Sequence, residues 1–343
     1  MISFRNDYSE GACPEIIEAL VESNMTQHVG YGEDECCFAA KKAIKEVLEY
    51  EDCDIHFLVG GTQANLTVIS SILRPYEAVI AVDSGHINVH ETGSIEATGH
   101  KVVIADGNDG KLSVEGIRKA VKKHEDEHMV KPAMIYISNA TEIGTIYHKE
   151  ELQALRDVCD ELGLYLFMDG ARLGAALTAE DNDVEFDDLC KYCDVFYIGG
   201  TKNGALFGEA VVIVNDDLKK NFRYMIKQRG GMLAKGWLLG TQFQVLFEQG
   251  LYLPSAKHAN ELAQKMQSEM KKLGVSFFIE TTTNQIFPIL DNQLIEKLQK
   301  DYAFQVWEEM DEHTTAMRFV TSWATKQEDV DAFLADFTKL VKG

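Results

Sequence analysis

Basic residues are scarce in this chain. Thirty-three lysines and arginines stand against 55 aspartates and glutamates, a formal charge of −22. Phosphates would be repelled at long range, which argues against a nucleic-acid partner. The acidity is spread along the chain rather than gathered in a tail, as expected of a charge that maintains solubility. No apolar run approaches the roughly 18 residues that a membrane span needs. The opening Met1-Ile-Ser-Phe-Arg-Asn-Asp7 lacks a basic segment followed by an apolar one, so no signal peptide is expected. Seven cysteines, an odd number without framework spacing, suit a reducing cytoplasm rather than a disulfide scaffold. Cys190-Lys-Tyr-Cys193 is the only C-x-x-C pair; without a second pair or suitably spaced histidines, no metal is expected there. Adjacent Cys36 and Cys37 fall in a helical pattern and read as packing residues. Pro- or Ser-rich linkers, low-complexity tracts and internal repeats are absent from the sequence.

What is present is an ordinary globular composition, 45% apolar and 26% charged over 343 residues. That length fits a large domain, placed at 1–250 with the N-terminal segment, and a small one at 251–343. Helices are expected at 14–24 and 33–50, the second starting near acidic Glu33-Asp34-Glu35. Short apolar runs then alternate with helical patterns. Ile55–Val59, Ala78–Val82, Lys101–Ala105, Ala133–Ile137, Leu164–Met168, Val195–Ile198 and Ala210–Val214 read as strands. Leu66–Leu73, Val114–His124, Lys149–Leu162 and Phe186–Tyr192 read as helices. This predicts an α/β fold with a mostly parallel seven-stranded sheet and helices on both faces. Beyond residue 216 helices dominate to about 272, with breaks at Gly230-Gly231 and Pro254. A small α/β unit follows, with strands near 275–280, 285–290 and 316–321 and a last helix near 327–341.

Four of the predicted strands run into chemistry-bearing residues. Gly60-Gly61-Thr62-Gln63 joins a strand to a helix, so free backbone N–H groups and the Thr62 hydroxyl could hold a phosphate; a plain glycine turn would read the same. Asp83-Ser-Gly-His86 puts an imidazole at the next mouth, able to stack on a flat ring or to move a proton. Leu164-Tyr-Leu-Phe-Met-Asp169 ends in a carboxylate that needs a partner such as a protonated ring nitrogen. Arg172 offers a fork for a carboxylate or phosphate, or for Asp169 itself as an internal pair. After Val195–Ile198 and Gly199-Gly200 stands Lys202, either a solvated loop lysine or an amine poised to attack a carbonyl. Open α/β sheets bind ligands at this edge. Phosphate cradle, stacking ring, counter-ion and amine are together what pyridoxal phosphate requires. A non-catalytic nucleotide-binding protein would account for the glycine turn but not for Lys202 or Asp169.

With these residues the chain resembles the threonine aldolase and aromatic amino acid β-eliminating lyase family, pyridoxal-phosphate enzymes of the aspartate-aminotransferase fold type I. The resemblance runs through Phe4-Arg-Asn-Asp7, Tyr31-Gly-Glu-Asp34, Gly60-Gly-Thr-Gln-Ala-Asn65, Met168-Asp-Gly-Ala-Arg172, Gly200-Thr-Lys202, Gln228-Arg-Gly-Gly-Met232, Thr283-Asn284 and Met317-Arg-Phe-Val320. It implies that a β-hydroxy-α-amino acid of the threonine, allo-threonine or phenylserine type is cleaved to glycine and an aldehyde. Other reactions of the wider group are β-elimination and amino transfer. Lys202 would carry the cofactor as an aldimine. Asp169 would pair with the ring nitrogen, and His86 would stack on the ring and serve as base. Gly60, Gly61 and Thr62 would hold the phosphate, together with Arg229 reaching across a subunit interface. Arg172 and Arg318 would grip the substrate carboxylate, with Asn6 and Tyr31 near the substrate. Glu142 stands in Asn139-Ala-Thr-Glu142, where such aldolases often show Asn-Thr-His facing the β-hydroxyl. Asn6 stands where serine is frequent, and Gly85 is one extra residue before His86. A homodimer or homotetramer with active sites at the interface is implied.

Overall fold

The computed structural model describes residues 1–342. Seven strands form the main sheet: β1 (Asp54–Leu58), β2 (Glu77–Ala81), β3 (Lys101–Ile104), β4 (Lys131–Ser138), β5 (Tyr165–Asp169), β6 (Val195–Gly199) and β7 (Glu209–Ile213). Their spatial order is β1-β7-β6-β5-β4-β2-β3. Only β7 pairs antiparallel, with β6 on one side and β1 on the other. The other six strands point the same way, so their C-terminal ends share one edge. The predicted α/β architecture and all seven strand positions agree with this.

Alternation along each strand explains why the sheet is covered on both faces. Phe196 and Ile198 belong to one apolar core, Val195 and Tyr197 to the other. Ile135 and Ile137 divide from Met134 and Tyr136 in the same way. A strand buried on both faces reads as a continuous apolar run, the signal that made these segments visible in the sequence. Every residue of β6 and β7 is buried, including Glu209.

The helices at Lys149–Leu162 and Phe186–Tyr192 have the expected bounds. Asp34 caps the helix Glu35–Leu48, its carboxylate accepting from the Cys37 amide at 2.8 Å. Cys37 is buried against the helix Trp237–Glu248, while Cys36 is half-buried.

A second sheet carries the C-terminal part, in which β11 (Thr314–Val320) pairs antiparallel with β8 (Gln285–Ile286), β9 (Ile289–Asp291) and β10 (Gln305–Glu309). Its core gathers Phe4, Leu262, Met266, Ile286, Phe319 and Phe333. Three expectations need correction. The strand near 275–280 reduces to a single bridge from Phe277 to Pro288. The strand β10 was not foreseen, because its residues are half-buried or exposed and it ends in two glutamates. Pro254 does not break a helix: it lies in the first turn of Tyr252–Lys272, where an amide has no intrahelical acceptor to lose.

The chain's beginning packs with its end. Ile2–Ser3 pairs parallel with Tyr302–Ala303. The Phe4 carbonyl then accepts from the Val320 amide at 2.9 Å. No helix among the described residues is long and apolar enough to cross a membrane.

Candidate active site

The first turn of the helix Gly61–Ile72 leaves its amides free at the end of β1. Gly60 precedes it in extended backbone, and Thr62 is exposed. A Cβ on Gly61 would stand 3.0 Å from the buried Tyr197 hydroxyl. Gln63 ties this turn to the Arg229 segment: its side chain accepts from the Val59 amide at 3.2 Å and donates to the Arg229 carbonyl at 3.3 Å. Arg229 keeps a buried Nε without a partner.

Asp169 ends β5, buried. Its Oδ1 accepts from the Ala171 amide at 2.9 Å, and its Oδ2 accepts from the Tyr136 hydroxyl and, at 3.1 Å, from Asn65. Burial alone would raise its pKa, but the His86 charge and these donors outweigh burial and hold the carboxyl below its usual range. Gly170 is required here, because a Cβ would fall 1.9 Å from the Tyr197 carbonyl of the neighbouring strand. Arg172 does not pair with Asp169. Its guanidinium is clasped by buried Asp7, with Nε to Oδ2 at 2.7 Å and Nη2 to Oδ1 at 3.0 Å. Asn284 donates to the same Asp7 oxygen at 2.9 Å.

His86 opens a short helix beyond β2. Its Nδ1 lies 2.8 Å from Glu91 Oε1, which also accepts from Asn65 at 2.7 Å. Burial would lower the His86 pKa, and the Glu91 contact with the Asp169 charge raises it above the ordinary value. Glu142 comes to the same place: its Oε1 accepts from the His86 amide at 3.1 Å and from Ser138 at 2.8 Å. Burial and the Asp169 charge raise its pKa.

Lys202 is half-buried just past β6. Burial and the nearby Arg172 charge push its pKa down, partly offset by Asp7, Asp169 and Glu209. With Asp7, Arg172, Asn203 and Asn284 it lines a small cavity. Burial and then the nearby Arg172 charge lower the pKa of Arg318, on β11; its Nη2 donates to Gln305 while its Nε is buried and unpaired. Asn6 accepts from the Tyr8 amide at 3.0 Å beside this cluster. Tyr31 is the residue not brought to it. Half exposed, its ring meets Lys227 at 4.8 Å, and it lines a separate cavity with Arg223, Tyr224 and Met232.

Several members of the site were missed in the sequence: Asp7, Asn65, Glu91, Tyr136 and Ser138. Asp7 and Asn65 lie inside recognisable motifs, but nothing in their spacing pairs them with Arg172 or Asp169. Tyr136 is hidden in an apolar strand. The residues present suit pyridoxal phosphate: a half-buried amine of lowered proton affinity, an ionised buried carboxylate, a free helix start and an arginine with an orphaned nitrogen.

The same fold occurs in the histidinol-phosphate aminotransferase of Clostridium acetobutylicum, with a TM-score of 0.74 at 14% identity over 100% of this chain and 99% of that one. Fold and site thus define a pyridoxal-phosphate enzyme of fold type I. The chain belongs to the beta-eliminating lyase family, whose model matches residues 3–293. It is therefore a lyase whose cofactor is pyridoxal 5'-phosphate. The low specificity L-threonine aldolase of Pseudomonas sp. (strain NCIMB 10558) is 33% identical over 97% of this chain and 96% of its own length. A threonine aldolase of Leishmania major has a TM-score of 0.98 at 48% identity, covering 99% of this chain and 100% of that one.

Proposed function

We propose that the protein cleaves the Cα–Cβ bond of β-hydroxy-α-amino acids of the threonine, allo-threonine or phenylserine type, giving glycine and an aldehyde. The observation that carries this reading is the amine of Lys202, depressed in proton affinity, at the same sheet edge as the ionised carboxylate of Asp169. Bound pyridoxal phosphate supplies an aldehyde for amines and a ring that accepts the electrons of the broken bond.

The chain's own groups do the rest. Lys202 would hold the cofactor through its side-chain amine. Asp169 would be the counter-charge for a protonated ring nitrogen; an opposite charge at about 4 Å is worth about 4 kcal/mol at an effective dielectric near 20. His86 would lie against the cofactor ring, and Glu91 fixes its Nδ1, leaving Nε2 to take the β-hydroxyl proton. Glu142, adjoining the His86 amide, orients that hydroxyl. Arg172 and Arg318 draw in the substrate carboxylate, since two guanidiniums face a single balancing Asp7. Gly60, Gly61 and Thr62 would hold the phosphate of their own copy, and Arg229 that of the neighbouring copy.

Tyr31 stands apart from this cluster and acts, with Arg229, on the site of a second copy. Exposed Tyr31 and Tyr224 supply apolar area for such a homodimer, or for a tetramer of two dimers. We infer two domains, 1–250 and 251–343; the main sheet lies in the first and the four-stranded sheet in the second, and Ile2–Ser3 pairs with Tyr302–Ala303 of the second. Free thiols at all seven cysteines suit the cytoplasm.

An aldehyde-release screen over a dozen β-hydroxy amino acids tests the reading, with light scattering for the oligomer. Aldehyde from any of them, lost in Lys202→Ala, is the expected result. Pyruvate or ammonia from serine without aldehyde would make β-elimination the reaction instead, and transfer to a keto acid would make it an aminotransferase.

A further inference from the structure

Asn65 has no part in the roles above. It is wholly buried on the helix Gly61–Ile72, one turn past its first residue. Its Nδ2 donates to Glu91 Oε1 at 2.7 Å and to Asp169 Oδ2 at 3.1 Å, while its Oδ1 is buried with no partner. Each hydrogen of the amide thus goes to a different carboxylate. Turned the other way, the amide would set its oxygen against two anions, so it keeps this orientation although Oδ1 is left unsatisfied. Among the described residues only Asn65 donates to both carboxylates.

Further contacts extend this bridge. Glu91 Oε1 also meets His86 Nδ1 at 2.8 Å, and Glu91 Oε2 accepts from the Ser94 hydroxyl at 2.6 Å. The Tyr136 hydroxyl donates to the same Asp169 oxygen as Asn65. A continuous hydrogen-bonded path therefore runs from the His86 imidazole through Glu91 and Asn65 to Asp169. The other titratable groups facing His86 are His90 on its own segment, Glu142 after β4 and Lys202 beyond β6, with Arg172 and Arg318 acting on His90. Those facing Asp169 are Tyr136, Glu142, Tyr197, Lys202 and Glu209. Two buried carboxylates repel each other and draw a proton onto the imidazole beside them. A donor shared by both stabilises their ionised forms and weakens that draw.

We propose that Asn65 is a positioning residue that ties His86 and Asp169 into one titrating unit: donating to both carboxylates, it keeps them ionised side by side and limits how tightly His86 holds its proton. The inference rests on the reading that His86 is the base and Asp169 the counter-charge of the cofactor ring. A base must be neutral to take a proton, so without Asn65 more of His86 would stand protonated at neutral pH. Asn65 acts through Glu91 and Asp169, and no proton passes across its amide.

The test is a site-resolved titration of His86 in the full chain before pyridoxal phosphate is added. It is read as the pH dependence of hydrogen–deuterium exchange at the imidazole Cε1, by peptide mass spectrometry with fragmentation to separate His86 from His90. Asn65→Leu keeps a similar size and has no donor. Both carboxylates then lose a hydrogen bond, so the His86 midpoint should rise by about one pH unit, a tenfold tighter proton. A midpoint that falls, or stays within about 0.3 unit, overturns the proposal. In a Glu91→Gln background most of the rise should vanish; a rise of full size there would belong to the apolar side chain itself and overturns the proposal as well. Asn65→Ser serves where N65L does not fold. It keeps a donor for one carboxylate, so a rise of about half a unit is expected, and an unmoved midpoint overturns the proposal. Failure of the underlying reading looks different: a wild-type protein that captures no added pyridoxal phosphate, whatever the titration gives.

Discussion

Asp7 clasps the guanidinium of Arg172 through two hydrogen bonds of 2.7 and 3.0 Å, although 165 residues separate them. The pair is buried, so removing one partner strands the other. Asp7→Asn should destabilise the protein by about 3–5 kcal/mol in denaturant titrations at neutral pH. The sign with pH follows from the direction of the shift. The Asp7 pKa is held below 3.8 despite burial, chiefly by Arg172. Its contribution is therefore complete above 3.8 and disappears as pH falls through the lower folded value, where wild type and variant converge.

Asp169→Asn keeps the shape of the carboxylate and removes its charge. Cofactor capture by Lys202 should survive, while aldehyde release falls about 10²- to 10³-fold, the equivalent of roughly 3–4 kcal/mol of lost charge stabilisation. Equal loss of capture and turnover would show that the residue only supports the fold.

Glu91 raises the proton affinity of His86, whose Nδ1 it touches. In Glu91→Gln that support is gone, so His86 loses its proton at lower pH. With His86 as the base, the acid limb of the kcat/KM profile moves to lower pH. A limb that stays in place would remove His86 from proton transfer.

Gly170→Ala tests the close approach of β5 and β6. The added methyl would meet the Tyr197 carbonyl at 1.9 Å, so backbone must shift and Asp169 shifts with it. A stability loss of about 1–3 kcal/mol is expected in thermal unfolding, with weakened cofactor retention. Retention equal to wild type would mean that the carboxylate is positioned by its donors alone.

The main sheet was legible because its strands are buried on both faces and leave apolar runs such as Val195–Ile198. Lys202, Asp169 and His86 were legible because each directly follows such a run. Glu209 was not: the sequence shows where β7 lies but not its direction, and direction alone decides at which edge its first residue emerges. Asp7 and Glu91 were hidden for a related reason, since their partners are set by tertiary approach rather than by spacing. The edge strand β10 escaped because exposed residues leave little apolar pattern.

The pairing of Ile2–Ser3 with Tyr302–Ala303, and of Asp7 with Arg172 and Asn284, has a consequence for how the protein is made. Residues 2–7 are held by a strand and loops that are translated far later in the chain. At roughly 5–20 residues per second, Asp7 waits on the order of 15–60 s for Asn284 and the β11 strand. The cavity lined by Asp7, Arg172, Lys202 and Asn284 therefore closes only once residue 284 has been made, later than most of the main sheet.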